Sequence, residues 1–355
     1  MRRSVLAAGY CGRIATLGLA ALGVVWAGSG RAQDRVQALF RENTALELRL
    51  MAPFRQLARE REAESEFPAL LSYVAPDGRT IELDIGIKPR GNSRLRNCVF
   101  PPLRLEFDTS ASGTLFAGQD TLKLVTHCVP SPVYEDAVAR EFQIYRLYNR
   151  LTEYSFLVRW ATIEYVDTDA RRDPYTESGF LIEEDWAAAA RLGLEVLELA
   201  EIEPASLDPN AAALLGLFQF MVGNADWSAR YSEPGGTCCH NGKPLGLPGQ
   251  SAGRIVVPYD FDQAGFVDAE YAVHNESLGL RGMQRLYRGF CIHNEQLPEA
   301  IARIEEARQD WLEIVDDEPL RERARRRGTR YIESGYEIIG EPRRVEREII
   351  EDCRS

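Results

Sequence analysis

The sequence predicts an α+β protein of two lobes, strand-rich in its first half and helical in its second. Three observations predict this. Short stretches of alternating apolar and polar residues dominate up to about Glu183. One conspicuous helical pattern, Tyr134 to Arg150, interrupts them. Beyond Glu184 the chain becomes rich in Ala and Leu and then in long helical patterns.

The elements follow in order. Arg35 to Glu42 reads as a short helix, and Leu46 to Leu50 alternates as a half-buried strand does. Phe54 to Ser65 is charged and helix-compatible. Pro76-Asp77-Gly78 signals a hairpin turn before Thr80 to Lys88, where Ile81, Leu83, Ile85 and Ile87 share one face. Leu103, Leu105 and Phe107 alternate again, and Leu122 to Val125 is a further strand. In the helix from Tyr134, early Glu135 and Asp136 suit the positive end of the dipole. Phe156 to Val166 and Gly179 to Glu183 are strands; Trp186 to Ala200 and Ala211 to Met221 are helices. A loop-rich stretch from Gly223 to Gly253 leads into the strand Arg254 to Val257, and Leu297 to Ile350 is mostly helical.

The first 32 residues differ from the rest. Arg2, Arg3 and Arg13 precede an apolar run from Ile14 to Ala27, followed by Gly30-Arg31-Ala32. That is the pattern of a signal peptide cleaved after Ala32, and the run is short of the ~20 residues that span a bilayer. The expected organisation is therefore a signal peptide over 1–32, a strand-rich lobe over 33–183 and a helical lobe over 184–355, with a periplasmic or secreted location and no membrane span after cleavage. Six cysteines follow Cys11: Cys98, Cys128, Cys238, Cys239, Cys291 and Cys353. An even number in an exported chain predicts disulfides. Adjacent Cys238 and Cys239 are expected to reach different partners, since pairing them distorts the backbone. Zinc held by Cys238, Cys239, His240, Cys291 and His293 is the alternative, although the spacing fits no common zinc motif. A formal charge of -12 argues against a nucleic-acid partner.

Candidate chemistry concentrates in loops. Gly223-Asn224-Ala225-Asp226, His240-Asn241 and Pro258-Tyr259-Asp260-Phe261-Asp262 bring short oxygen-bearing side chains close together, the last at a strand's end. A hard cation such as Mg²⁺ takes oxygen ligands of this kind. Against it stands ordinary loop chemistry, in which Asp and Asn bond their own backbone. Lys123 lies within an apolar strand and Glu141 within the following helix, a pairing that in phosphate-transfer enzymes orients a lysine towards nucleotide phosphates. Lys88-Pro89-Arg90-Gly91-Asn92-Ser93-Arg94 adds basic residues and a flexible glycine suited to phosphate, or to a polar turn.

These pieces, in this order from about Ile81 to Gly265, resemble the spore-coat-protein-H family of atypical protein kinases. Lys88 to Ser93 is similar to that family's lysine-x-arginine-glycine-asparagine-serine stretch. Pro258 to Asp262 resembles its proline-tryptophan-aspartate-leucine-aspartate, with Tyr259 in place of tryptophan. The resemblance implies a two-lobed protein-kinase-like fold that binds ATP and Mg²⁺ and phosphorylates Ser, Thr or Tyr on a protein substrate. It implies Asp226 and Lys123 as catalytic residues, and Lys123, Glu141, Arg90, Gly91 and Asn92 around the nucleotide. Asn241, Asp260 and Asp262 would hold the metal. The rival expectations are a non-catalytic binding or envelope protein on the same fold, and transfer of AMP instead of phosphate.

Overall fold

The computed structural model describes residues 36–60, 65–91, 93–108, 111–169, 173–232, 236–273, 278–280, 283–317 and 320–355. The expected signal peptide over 1–32 and Asn92 lie outside the described residues.

Seven strands form one sheet: β1 (Leu46–Ala52), β2 (Phe67–Val74), β3 (Thr80–Pro89), β4 (Leu103–Glu106), β5 (Thr121–Val125), β6 (Val158–Asp167) and β7 (Tyr175–Ile182). Their order is β1-β2-β3-β4-β5-β7-β6. All neighbours run antiparallel except the pair that closes the ring, where β1 lies parallel to β6 with Leu46 opposite Ala161 and Ala52 opposite Asp167. This corrects the expected fold. The strand-rich half is not a sheet-based lobe of a two-lobed kinase-like fold; it is a closed, mixed seven-stranded barrel. The physical reason is that β1 bonds on both sides, to β2 and to β6, so no edge is left open. Alternation along the strands then points one face into the barrel, where Leu48, Leu50, Leu83, Ile85, Leu105 and Leu122 are buried.

Among the described residues nine α-helices accompany the barrel: α1 (Phe54–Arg59), α2 (Ser93–Asn97), α3 (Pro132–Asn149), α4 (Asp185–Leu192), α5 (Pro209–Val222), α6 (Leu297–Glu306), α7 (Arg308–Asp316), α8 (Glu322–Ile339) and α9 (Pro342–Val345). A small antiparallel sheet orders β10 (Ile255–Pro258), β9 (Gly242–Gly246) and β8 (Glu195–Val196). Helix α3 packs against both the barrel and α5 within one hydrophobic cluster. Phe142 meets Trp160 and Phe180 of the barrel at 5.2 and 5.6 Å between ring centres, while Tyr148 meets Phe218 of α5 at 4.5 Å. Helix α5 is apolar on nearly all sides and buried accordingly. It begins at Asp208, whose carboxylate accepts from the Ala211 amide, and ends at left-handed Gly223.

Several local expectations shift. The helix expected over Trp186 to Ala200 stops at Leu192, because Gly193 takes a left-handed φ of 71° and turns the chain into β8. Residues 38–40 make only a short 3₁₀ turn. All six cysteines pair, as Cys98–Cys128, Cys238–Cys239 and Cys291–Cys353. The expectation that Cys238 and Cys239 reach different partners is thereby overturned: the peptide between them is cis and their Cα atoms are 3.0 Å apart. The zinc alternative falls with it, since its cysteines are committed to disulfides. Among the described residues no helix is long and apolar enough to cross a membrane.

Candidate functional site

A cleft of about 1200 Å³ gathers residues from distant stretches of chain between Arg90 and Gln284. Arg90 and Gly91 leave the end of β3, and the short helix α2 turns Arg94 inward. The Cys98–Cys128 bond and the Phe100 amide, which donates to the Cys128 carbonyl at 2.9 Å, fasten this segment beside the end of β5. Helix α3 contributes Glu141, 2% exposed, and Tyr145.

The loop after α5 supplies Asp226. Gly223 makes the turn possible: a Cβ there would lie 1.8 Å from the Tyr331 hydroxyl, and its φ is +65°. Asn224 is buried and its side-chain oxygen accepts from the Asp226 amide at 2.9 Å. Asp226 is then gripped through both oxygens. Nδ2 of Asn241 donates to Oδ2 at 3.0 Å and to the Asp226 carbonyl at 2.7 Å; Nε2 of His240 lies 2.9 Å from Oδ1. Strand β10 delivers Asp260 and Asp262. Asn241 and Asp260 both hold left-handed backbone, with φ of 49° and 59°. Such residues are uncommon outside glycine and concentrate at functional sites. The Asp260 amide donates to the Tyr145 hydroxyl at 3.0 Å, which locks that turn onto α3.

Arg94 is the hub. Its Nη2 donates to Oε2 of Glu141 at 2.6 Å, its Nε donates to Oδ2 of Asp262 at 2.9 Å, and Oδ1 of Asp260 lies 3.7 Å away. Burial pushes the Glu141 carboxyl up to about 7, against the pull of the Arg94 charge. Asp260 rises to about 6 through burial and the neighbouring Asp262 charge. It is hemmed in by protein, yet 45% of its side chain faces the open cleft. Burial works against the Arg94 charge too, but Glu141, Asp262 and Asp260 outweigh it and hold its pKa well above the ordinary value.

The structure thus brings Arg90, Gly91, Glu141, Asp226, Asn241, Asp260 and Asp262 to one cleft. It does not bring Lys123 to its lining. Lys123 is buried and pairs with Glu184, and burial lowers its pKa despite that partner. The expected Lys123–Glu141 pair is corrected: Glu141 holds Arg94. Lys88 lies on the barrel, bridging Glu66 and Glu106 at 3.1 and 3.4 Å. Sequence reasoning places Arg94 within the phosphate-suited stretch Lys88 to Arg94 but gives it no role of its own. Nothing in its spacing reveals that α2 directs it at carboxylates 47 and 168 residues away.

Comparison with protein-family models finds no match to this chain. Comparison with curated proteins likewise finds none.

Proposed function

We propose that the protein is an exported phosphotransferase that moves phosphate from ATP, with Mg²⁺, to hydroxyl groups on proteins. One observation carries this reading: Asp226, Asp260 and Asp262 line the same cleft as Arg90, Arg94 and Arg96. Triphosphate suits the arginines and a cation suits the aspartates.

The donor chemistry fits a hard cation, because Asp226, Asn241, Asp260 and Asp262 offer oxygen only. Among the described residues no group of three or more His, Cys, Asp and Glu side chains is placed to cage a metal ion. Mg²⁺ is usually held by one or two carboxylates together with phosphate oxygens and water. Asp260, open to the cleft, and Asp262 would hold it, with Asn241 a further oxygen donor lining the same cleft. The cation would supply charge neutralisation at the phosphates. Asp226, fixed by His240 and Asn241, is placed to orient an acceptor hydroxyl and take its proton. The motifs shared with the spore-coat-protein-H family point to the same chemistry; the barrel means that any kinship must rest on the site.

A second reading, a cleft that binds without catalysing, is favoured by Arg94, which already pairs with Asp262 and Glu141. Incubation with γ-labelled ATP and a mixture of hydroxyl-bearing peptides separates the readings. Label transfer that falls at least ~100-fold in Asp226→Asn supports phosphotransfer. Binding with no transfer supports the second reading, and products heavier by AMP would move the reading to nucleotide transfer.

A further inference from the structure

We propose that Arg94 is the phosphate-binding cation of this cleft, held for that task by Glu141 and Asp262. The inference rests on the phosphotransfer reading and names the residue that makes it work. Lys123 was the expected holder of the phosphates, but it is tied to Glu184 and does not line the cleft. Arg94 does line it, although only 8% of its side chain is exposed.

Its orientation is fixed from two sides. Glu141 belongs to α3 and Asp262 to the turn after β10, so elements that meet only in the folded protein aim one guanidinium. Those bonds, through Nε and Nη2, use part of the fork of N–H donors; the rest suits phosphate oxygens, which a guanidinium recognises in a planar, paired manner. A purely structural role explains the arrangement poorly. Ion pairs at low exposure gain little stability over apolar packing of the same volume, and this one sets a single cation among three carboxylates. A charge kept in the lining of an open cleft is better explained by a ligand that arrives there. Arg90 and Arg96 line the same cleft from the same segment and add to its positive charge. The surrounding carboxylates give a divalent cation a part in this binding: without one, Asp260 and Asp262 would repel phosphate from Arg94.

The probes are ATP and inorganic tripolyphosphate, each with Mg²⁺, titrated calorimetrically into the full exported chain. The wild-type protein is expected to bind both; binding neither overturns the phosphotransfer reading itself. In Arg94→Gln, affinity for both is expected to fall about 10- to 100-fold, with Arg94→Lys recovering part of the loss. Because Arg94→Gln leaves Glu141 buried without its partner, Arg94→Gln/Glu141→Gln is measured beside it, with folding checked by circular dichroism. Wild-type binding combined with unchanged tripolyphosphate affinity in either folded Arg94→Gln variant overturns the role of Arg94 and leaves the phosphotransfer reading standing.

Discussion

Asp260 shows how a single residue couples backbone, charge and pH. It sits in left-handed backbone at the end of β10, beside Asp262 and 3.7 Å from Arg94. Its carboxyl is raised to about 6 and that of Glu141 to about 7, both chiefly by burial. Carboxyls raised above their unfolded values stabilise the fold fully at low pH, and that contribution is lost as pH rises through the folded values. In chelator-containing buffer, urea-unfolding stability from these groups is therefore expected to decline between about pH 4 and about pH 7. Asp260→Asn should decline less steeply, and equal slopes would remove the assignment. Cation binding has the opposite dependence, because a protonated Asp260 is a poor ligand: affinity for Mg²⁺ should weaken below about pH 6. At this scale the sequence was informative where chemistry is local. Asp226, Asn241, Asp260 and Asp262 are short side chains in loops bounded by recognisable strands and helices. The partner of Glu141 was not legible, because Lys123 and Arg94 are both basic residues in the preceding stretch and only the packing of α2 separates them.

At the scale of elements, α2 has the most to gain from covalent support. It is a five-residue helix that carries Arg94, and its last residue precedes Cys98. The Cys98–Cys128 bond closes a loop with a sequence separation of 30, for which chain entropy gives about 3–4 kcal/mol. Cys98→Ser/Cys128→Ser should lose about that much stability in urea. It should also weaken tripolyphosphate binding more than Cys291→Ser/Cys353→Ser, whose bond joins the 3₁₀ turn at Cys291 to the C-terminal segment. Equal effects on binding would separate α2 from phosphate binding. That cysteines pair was readable from their even number in a chain with an export-like start. How they pair was not: the Cys238–Cys239 bond depends on a cis peptide that no spacing announces. Helix α4 ended early for a reason that was in the sequence, Gly193, but a glycine followed by Leu194 can equally continue a helical pattern at modest cost.

For the whole molecule, closure of the barrel is the decisive departure from expectation. Individual strands were legible from period-two alternation. Their ring was not, because it depends on parallel pairing of β1 with β6 across more than a hundred residues, and alternation carries no information about partners. Closure makes a testable difference. An edge strand leaves alternate amides open to solvent, whereas β1 bonded to β2 and β6 has partners on both sides. Successive amides from Leu48 to Met51 should therefore exchange hydrogen as slowly as those of β3; alternating fast and slow amides would reopen the barrel. Leu50, 1% exposed inside it, should cost about 2–5 kcal/mol when replaced by alanine.

The central claim is that the cleft binds a nucleotide only together with a divalent cation. Titration of ATP into the protein with Mg²⁺ and again with excess chelator tests it most directly. Saturable binding at one site with Mg²⁺, lost in chelator and lost with Mg²⁺ in Asp260→Ala, is the result expected. Binding of equal strength in both buffers, or no binding in either, would contradict it.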